Sequence, residues 1–289
     1  MWREGESRIL RLFGSNRRLQ LEGKPILVTG AARGLGKQLA LRLAGVEKAD
    51  LVLVDQNGGA LRATAREVEE TSSSRVAVVE LDLLKKDCAP ELAARVEGME
   101  IFGLINNAGL TFYGETRAAH MDRQRAIIDL DFRVVVELSL LFLRRFQRQG
   151  AGFILNVTSL GAFAPVPYQA VYGASKSAVQ LFTECLYAEN RYRSIVISTF
   201  APSGIITEMI KESGLTRHME KHLYSYVTPE QAAETVVRGL KKGKRLIIPG
   251  VINKLLYLLM SFLPRGILIA LTARIFRHEK YREADTPQG

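Results

Sequence analysis

The sequence predicts an α/β fold of three layers, a doubly wound parallel sheet with helices on both faces. Short apolar runs alternate with longer amphipathic ones from Lys24 onward, as expected where strands are buried on both sides and helices on one. A glycine-rich turn lies directly between the first apolar run and the first amphipathic one. The polar residues with chemical potential follow the apolar runs, at the strand ends where open parallel sheets bind ligands.

Taken in order, Ile26-Leu27-Val28 reads as a buried strand and Leu35–Leu43 as a helix with Leu35, Leu39 and Leu43 on one side. Leu51–Val54 is the second strand and Ala60–Glu70 a charged helix. Val76–Val79, Phe102–Ile105, Phe153–Val157 and Ile195–Phe200 read as further strands, with helices at Glu91–Val96, Asp122–Arg148 and Ser175–Glu189 between them. Pro229–Lys241 forms a helix before a last strand, Lys244–Ile248. Residues 24–250 therefore read as one Rossmann-type unit with extensions at 1–23 and 251–289, since α/β domains of this size are commonly undivided.

The 289 residues are 47% hydrophobic and carry a formal net charge of +10. From Arg238 to Arg282, eleven cations face one acid, Glu279, a local excess equal to that of the whole chain. These cations alternate with the apolar runs Leu255–Leu263 and Ile267–Leu271, so the segment reads as a peripheral membrane face or a contact for anionic ligands, not as a nucleic-acid-binding tail. Pro264-Arg265 divides it, and no apolar run reaches the ~18 residues that a membrane-spanning helix needs. Ile9, Leu10, Leu12 and Phe13 among Arg3, Arg8, Arg11, Arg17 and Arg18 allow a second basic amphipathic helix, and the interspersed charges read against a secretory signal. Cys88 and Cys185 read as reduced core thiols, which fits a cytoplasmic protein. The cysteines and the histidines His120, His218, His222 and His278 lack metal-ligand spacing, so no metal is expected.

In the turn Thr29-Gly30-Ala31-Ala32-Arg33-Gly34-Leu35-Gly36, Gly30 permits a tight bend and Gly34 a close approach to a pyrophosphate at the helix start. Gly36 allows close helix packing, and Arg33 and Leu35 flank the same site. Asp55 ends the second strand 25 residues after Gly30, where a carboxylate accepts from ribose hydroxyls and repels a 2′-phosphate. Its alternative is a turn former before Asn57-Gly58-Gly59. Arg33 acts the other way, so NAD(H) is favoured and NADP(H) stays open. Asp82, with Leu83 beside it, suits an adenine contact or a helix N-cap. Asn107, Ala108 and Gly109 suit a turn packed against the cofactor, because Asn tolerates left-handed backbone and small residues admit close approach.

Tyr172 and Lys176 stand four apart, on one helix face, 13 residues after Ser159. A cation beside a phenol lowers its pKa and makes it a usable acid or base. Together with Pro202-Ser203-Gly204-Ile205-Ile206-Thr207, these ordered motifs make the sequence resemble the short-chain dehydrogenase/reductase family, in its single-domain branch, over roughly residues 24–250. The resemblance implies reversible hydride transfer between a nicotinamide and a carbonyl or secondary alcohol. It implies that Tyr172 is the acid/base, that Lys176 contacts the ribose and tunes the phenol, and that Ser159 orients the substrate. Pro202, Gly204, Ile205 and Thr207 would lie at the nicotinamide, and the helices Asp122–Arg148 and Ser175–Glu189 would make homo-oligomer contacts.

Two positions depart from the family pattern. Asp131 replaces an asparagine of the proton relay, adding a carboxylate near Lys176 that can shift the phenol. Ser203 replaces a glycine. These departures support a rival reading, a dinucleotide-binding regulatory protein of weak catalysis, while the intact Ser159, Tyr172 and Lys176 favour an enzyme. The apolar residues of Ser203–Val227 and Phe163–Tyr168 read as the lid and lining for a hydrophobic substrate such as a 3-oxoacyl thioester, fatty ketone or steroid-like alcohol.

Overall fold

The structure, a computed structural model, describes residues 18–190, 194–208 and 225–276. The expected N-terminal helix, most of the Ser203–Val227 lid with His218 and His222, and the last cations of the basic segment lie outside the described residues.

The described strands are β1 (Ile26–Thr29), β2 (Leu51–Asp55), β3 (Val76–Glu80), β4 (Gly103–Asn106), β5 (Gly152–Val157), β6 (Ile195–Phe200), β7 (Gly204–Ile205), β8 (Tyr226–Val227) and β9 (Leu246–Ile247). Seven form one parallel sheet in the order β3-β2-β1-β4-β5-β6-β9, while β7 and β8 pair with each other. The helices are α1 (Gly34–Gly45), α2 (Gly58–Thr71), α3 (Cys88–Arg95), α4 (Met121–Ile128), α5 (Val134–Gln149), α6 (Ala170–Asn190), α7 (Pro229–Lys241), α8 (Val251–Phe262) and α9 (Arg265–Phe276).

Alternate side chains of each strand enter opposite layers. Ile26 and Val28 pack with Leu39 of α1, Leu61 of α2 and Val236 of α7. Leu27 and Val52 face the other way, toward Leu92 of α3, Phe142 of α5 and Leu186 of α6. The strand order reverses at β1, which pairs with β2 on one side and β4 on the other. That reversal opens the crevice in which a doubly wound sheet holds its ligand.

Local chemistry moves several expected boundaries. The Asn57 side chain accepts from Ala60 N at 3.0 Å, so Gly58 and Gly59 start α2 instead of forming a free turn. Helix α6 begins at Ala170, five residues before the expected start, and Tyr172 lies in its first turn. The long helix expected at Asp122–Arg148 is three pieces, α4, a π-helical segment Asp129–Arg133 and α5. Leu19 and Leu21, ahead of the expected boundary at Lys24, are buried in the core, and Leu19 N donates to Lys241 O at 3.1 Å. Cys88 is buried, but Cys185 is exposed on α6, correcting the expectation of two core thiols.

Phe146 is fully buried on α5 against Gly152, whose φ of +156° leaves no room for a Cβ beside the ring. Phe146→Ala should cost about 3–5 kcal/mol, read as a lower denaturant midpoint at unchanged slope.

Candidate active site

A cavity of about 690 Å³ opens at the carboxyl ends of the central strands, bordered by Gly30, Asn107, Ser159 and Pro202. Every residue singled out from the sequence as a cofactor or catalytic contact lines it, with one exception. Gly36 lies beneath the turn, where a Cβ would stand 2.0 Å from Gly30 O and 2.7 Å from Asn107 Nδ2. Its contribution is close packing of α1 on the turn.

At the dinucleotide end, the turns after β1 and β4 are laced together. Asn107 Nδ2 donates to Thr29 O at 2.9 Å and Gly30 O at 3.1 Å, and Thr29 Oγ1 accepts from the N–H groups of Asn107 and Ala108. Gly30 has a φ of +67°, and a Cβ on it would meet Ala108 Cα at 2.9 Å. Helix α1 begins behind Arg33 with no side-chain cap, which leaves the N–H groups of its first turn for an anion. Asp55 is held in place by accepting from Ala32 N at 3.2 Å and Asn57 N at 3.0 Å, and it borders the cavity. Arg33 pairs with Glu208 at 3.2 Å across the rim. Asp82 caps a two-residue turn, accepting from Leu84 N at 2.9 Å, while α3 starts later, behind Asp87. A glycine cradle, an uncapped helix start and a carboxylate at the end of β2 together fit a dinucleotide.

At the other end, the π segment sets the chemistry. The Val134 N–H bonds back to Asp129 O, five residues away, the widened turn that often marks functional positions. Arg133 braces it from outside, bonding Asp129 at 2.8 Å and Glu137 at 3.0 Å. The bulge places Asp131, fully buried, on the cavity floor. Asp131 Oδ1 accepts from Leu110 N at 2.8 Å, and Oδ2 lies 3.5 Å from Lys176 Nζ. Lys176 Nζ also donates to Val157 O at 3.2 Å. A Cβ on Gly109 would come within 2.9 Å of Asp131 Oδ1 and 3.4 Å of Lys176 Nζ, so only glycine fits over this pair.

Tyr172 stands above it, with its ring centroid 5.7 Å from Lys176 Nζ. Burial pushes the phenol well above its ordinary value and the Asp131 charge pushes it further, opposed by a hydrogen bond with Ser159. The direction is opposite to the lowering expected from Lys176 and is that of the shift the added Asp131 carboxylate allows: the ammonium is engaged by a carboxylate whose charge acts in the opposite sense. Burial likewise raises the Asp131 carboxyl, against the pull of Lys176. Ser159 Oγ accepts from Gly161 N at 3.0 Å, which fixes the hydroxyl at the end of β5. Below, Asn106, Ser139, Asn156 and Thr183 form a buried side-chain chain tying β4, α5, β5 and α6. Ser203 donates through Oγ to Ser225 O, so the side chain that replaces a glycine is used as a tether.

Sequence reasoning missed the roof of the cavity. Leu256 and Met260 of α8 and Thr272, Ile275 and Phe276 of α9 line it, as do Thr111 and Gln169, bonded to each other at 2.9 Å. Tyr226, raised to about 12 by burial, is a second phenol at the wall. The available signal was α8 itself, whose apolar residues cover far more of the helix than a single core-facing stripe.

Residues 24–218 match the family model described as short chain dehydrogenase. The chain is 27% identical over 267 residues to mouse (Mus musculus) 17-beta-hydroxysteroid dehydrogenase type 3, covering 92% of this chain and 84% of that protein. It is 29% identical over 225 residues to very-long-chain 3-oxoacyl-CoA reductase-A of Danio rerio, covering 76% and 68%. Among solved structures, a short-chain dehydrogenase from Sphingobium yanoikuyae in complex with NADPH superposes with a TM-score of 0.73 at 25% identity, covering 84% of this chain and 97% of that one. A 7beta-hydroxysteroid dehydrogenase superposes with a TM-score of 0.79 at 21% identity over 89% and 99%, a likeness of fold.

Gly36→Ala forces a methyl into the Gly30 carbonyl. NADH affinity, followed by fluorescence titration, should fall about tenfold or more; unchanged affinity would contradict the packing given to this glycine.

Proposed function

Since the chain belongs to the short-chain dehydrogenase family and is an NAD(P)-dependent oxidoreductase of carbonyls and alcohols, we propose that it reduces bulky apolar ketones with Tyr172 as proton donor. The observation that carries this reading is the Tyr172 phenol lining one largely apolar cavity with the Ser159 hydroxyl and with the Lys176 ammonium, which lies 5.7 Å from its ring. Ser159 donates to the ketone oxygen and holds it, and Tyr172 delivers its proton to that same oxygen. When bound, the nicotinamide supplies the hydride. Lys176 contacts the ribose hydroxyls, and Asp131 positions Lys176. Pro202, Gly204, Ile205 and Thr207 line the wall beside the ring. A neutral phenol has a proton to give and cannot accept one, so Tyr172 is read as the donor in ketone reduction, and alcohol oxidation, which needs the phenolate, gains as the pH rises.

NAD(H) is the preferred cofactor in this reading, because the fixed Asp55 carboxylate meets the ribose where NADP carries a phosphate. The apolar roof, and relatives named for hydroxysteroid and very-long-chain 3-oxoacyl substrates, favour a steroid-like or long-acyl ketone. The catalytic unit is residues 24–250, to which α8 and α9 add the cavity roof. Leu140 on α5 and Leu181 on α6, both exposed, fit a homo-oligomer contact. A cytoplasmic protein with peripheral membrane contact through the basic C-terminal segment completes the reading.

Tyr172→Phe should lower kcat for ketone reduction at least about 100-fold while NADH still binds, and NADH should bind about tenfold more tightly than NADPH. A variant as fast as the parent, or no NADH consumption with any steroid or long-chain ketone, would overturn the proposal.

A further inference from the structure

Helix α8 gathers Asn253, Lys254 and Ser261 on one flank and is apolar over the rest, and the protein covers only part of that apolar surface. Leu256 and Met260, four apart, face the cavity, and Tyr257 packs edge-on against Phe163 at 4.9 Å. Val251, Leu255 and Phe262 are 72%, 60% and 84% exposed. Helix α9 repeats the arrangement, with Leu268 buried and Ile267, Ile269 and Leu271 exposed. An apolar helix face of this size left uncovered marks a contact with another apolar surface or with lipid. At 12 residues each, these two are too short to cross a membrane.

Besides the packing of their inner faces, each helix is tied by a hydrogen bond near its outer end. Buried Asn253, near the start of α8, donates to Ser225 O at 2.9 Å. The carbonyl of Phe276, at the end of α9, accepts from Tyr113 Oη at 2.6 Å. The connection between them, with Phe262 and Pro264 exposed, is the part farthest from both pins.

Charge selects what this face meets. Between Leu246 and Phe276 the charged residues are Lys254, Arg265 and Arg274, all exposed, with no acid among them. A second copy would set cations against cations. The chain's own first 18 residues carry Arg3, Arg8, Arg11, Arg17 and Arg18 against Glu4 and Glu6, again of the same sign. An anionic bilayer offers both negative headgroups and apolar depth.

We infer that the outer face of α8 and α9 seats in the surface of an anionic bilayer, and that an apolar ketone enters the cavity from the lipid, between these helices, without crossing water. The entry route rests on the substrate reading above; the lipid surface stands on exposure and charge alone.

Flotation of the full chain with vesicles of phosphatidylcholine alone, or of phosphatidylcholine with phosphatidylglycerol, tests the surface. The chain should float with the phosphatidylglycerol vesicles only. Leu255→Asp/Phe262→Asp, altered outside the cavity lining, should stay behind. That variant should reduce a short water-miscible ketone at the parent rate and lose roughly tenfold or more on a long-chain ketone held in the vesicles. Equal flotation of parent and variant, or none by either, overturns the proposal. So does a parent that never floats while sedimentation shows the substitutions splitting a dimer, which would make the face a contact between copies. Inactivity of parent and variant toward every ketone, with flotation still differing, supports the surface and refutes the substrate reading.

Discussion

A buried ion pair organises this active site. Taking an ammonium and a carboxylate out of water is costly unless each finds the other and its remaining bonds are met. Lys176 and Asp131 meet on the cavity floor at 3.5 Å, with Val157 O and Leu110 N as their further partners, while Asp131 Oδ2 makes no hydrogen bond among the described residues. The pair joins α6 to the π segment and to the turn after β4, and it explains the bare Cα of Gly109 above it. The side chains that matter chemically are thereby held by four separate elements of the sheet's carboxyl edge.

The same pair sets the character of Tyr172. In a site where lysine alone faced the phenol, the ammonium would favour phenolate. Here a carboxylate takes up that charge, and burial and Asp131 both favour the neutral phenol. Tyr172 therefore keeps its proton in the cofactor-free site. Ser159 gives the carbonyl oxygen a fixed partner, and the roof of α8 and α9 keeps the surroundings apolar. Floor and roof act together: the first stores the proton, the second selects greasy molecules.

Much of this was legible in the residues. Strands whose Ile, Leu and Val alternate between two layers announce a sheet buried on both faces, and the glycine turn after β1 marks the helix start that accepts phosphate. Tyr172 and Lys176 could be paired by spacing, because position along one helix fixes a shared face, and Ser159 joined them through its place after a strand. What spacing cannot carry is competition between partners. That Asp131 reaches Lys176 depends on a five-residue π segment that the helical pattern of Asp122–Arg148 concealed. The start of α2 was hidden by Asn57, whose capping bond outweighs the turn tendency of Gly58-Gly59. The roof was hidden because the apolar surface of α8 is too broad to show which part faces inward, and only tertiary contacts distinguish Leu256 from Leu255.

The direct test of the account is the ionisation of Tyr172 in the cofactor-free protein. Ultraviolet difference titration of the parent against Tyr172→Phe isolates its phenolate signal, and the same subtraction in an Asp131→Asn background isolates the carboxylate's effect. The account predicts that Tyr172 remains protonated at pH 10.0, the ordinary midpoint of a tyrosine, and that Asp131→Asn moves its ionisation to lower pH. A Tyr172 phenolate already formed near neutral pH, or a titration indifferent to Asp131, would contradict it.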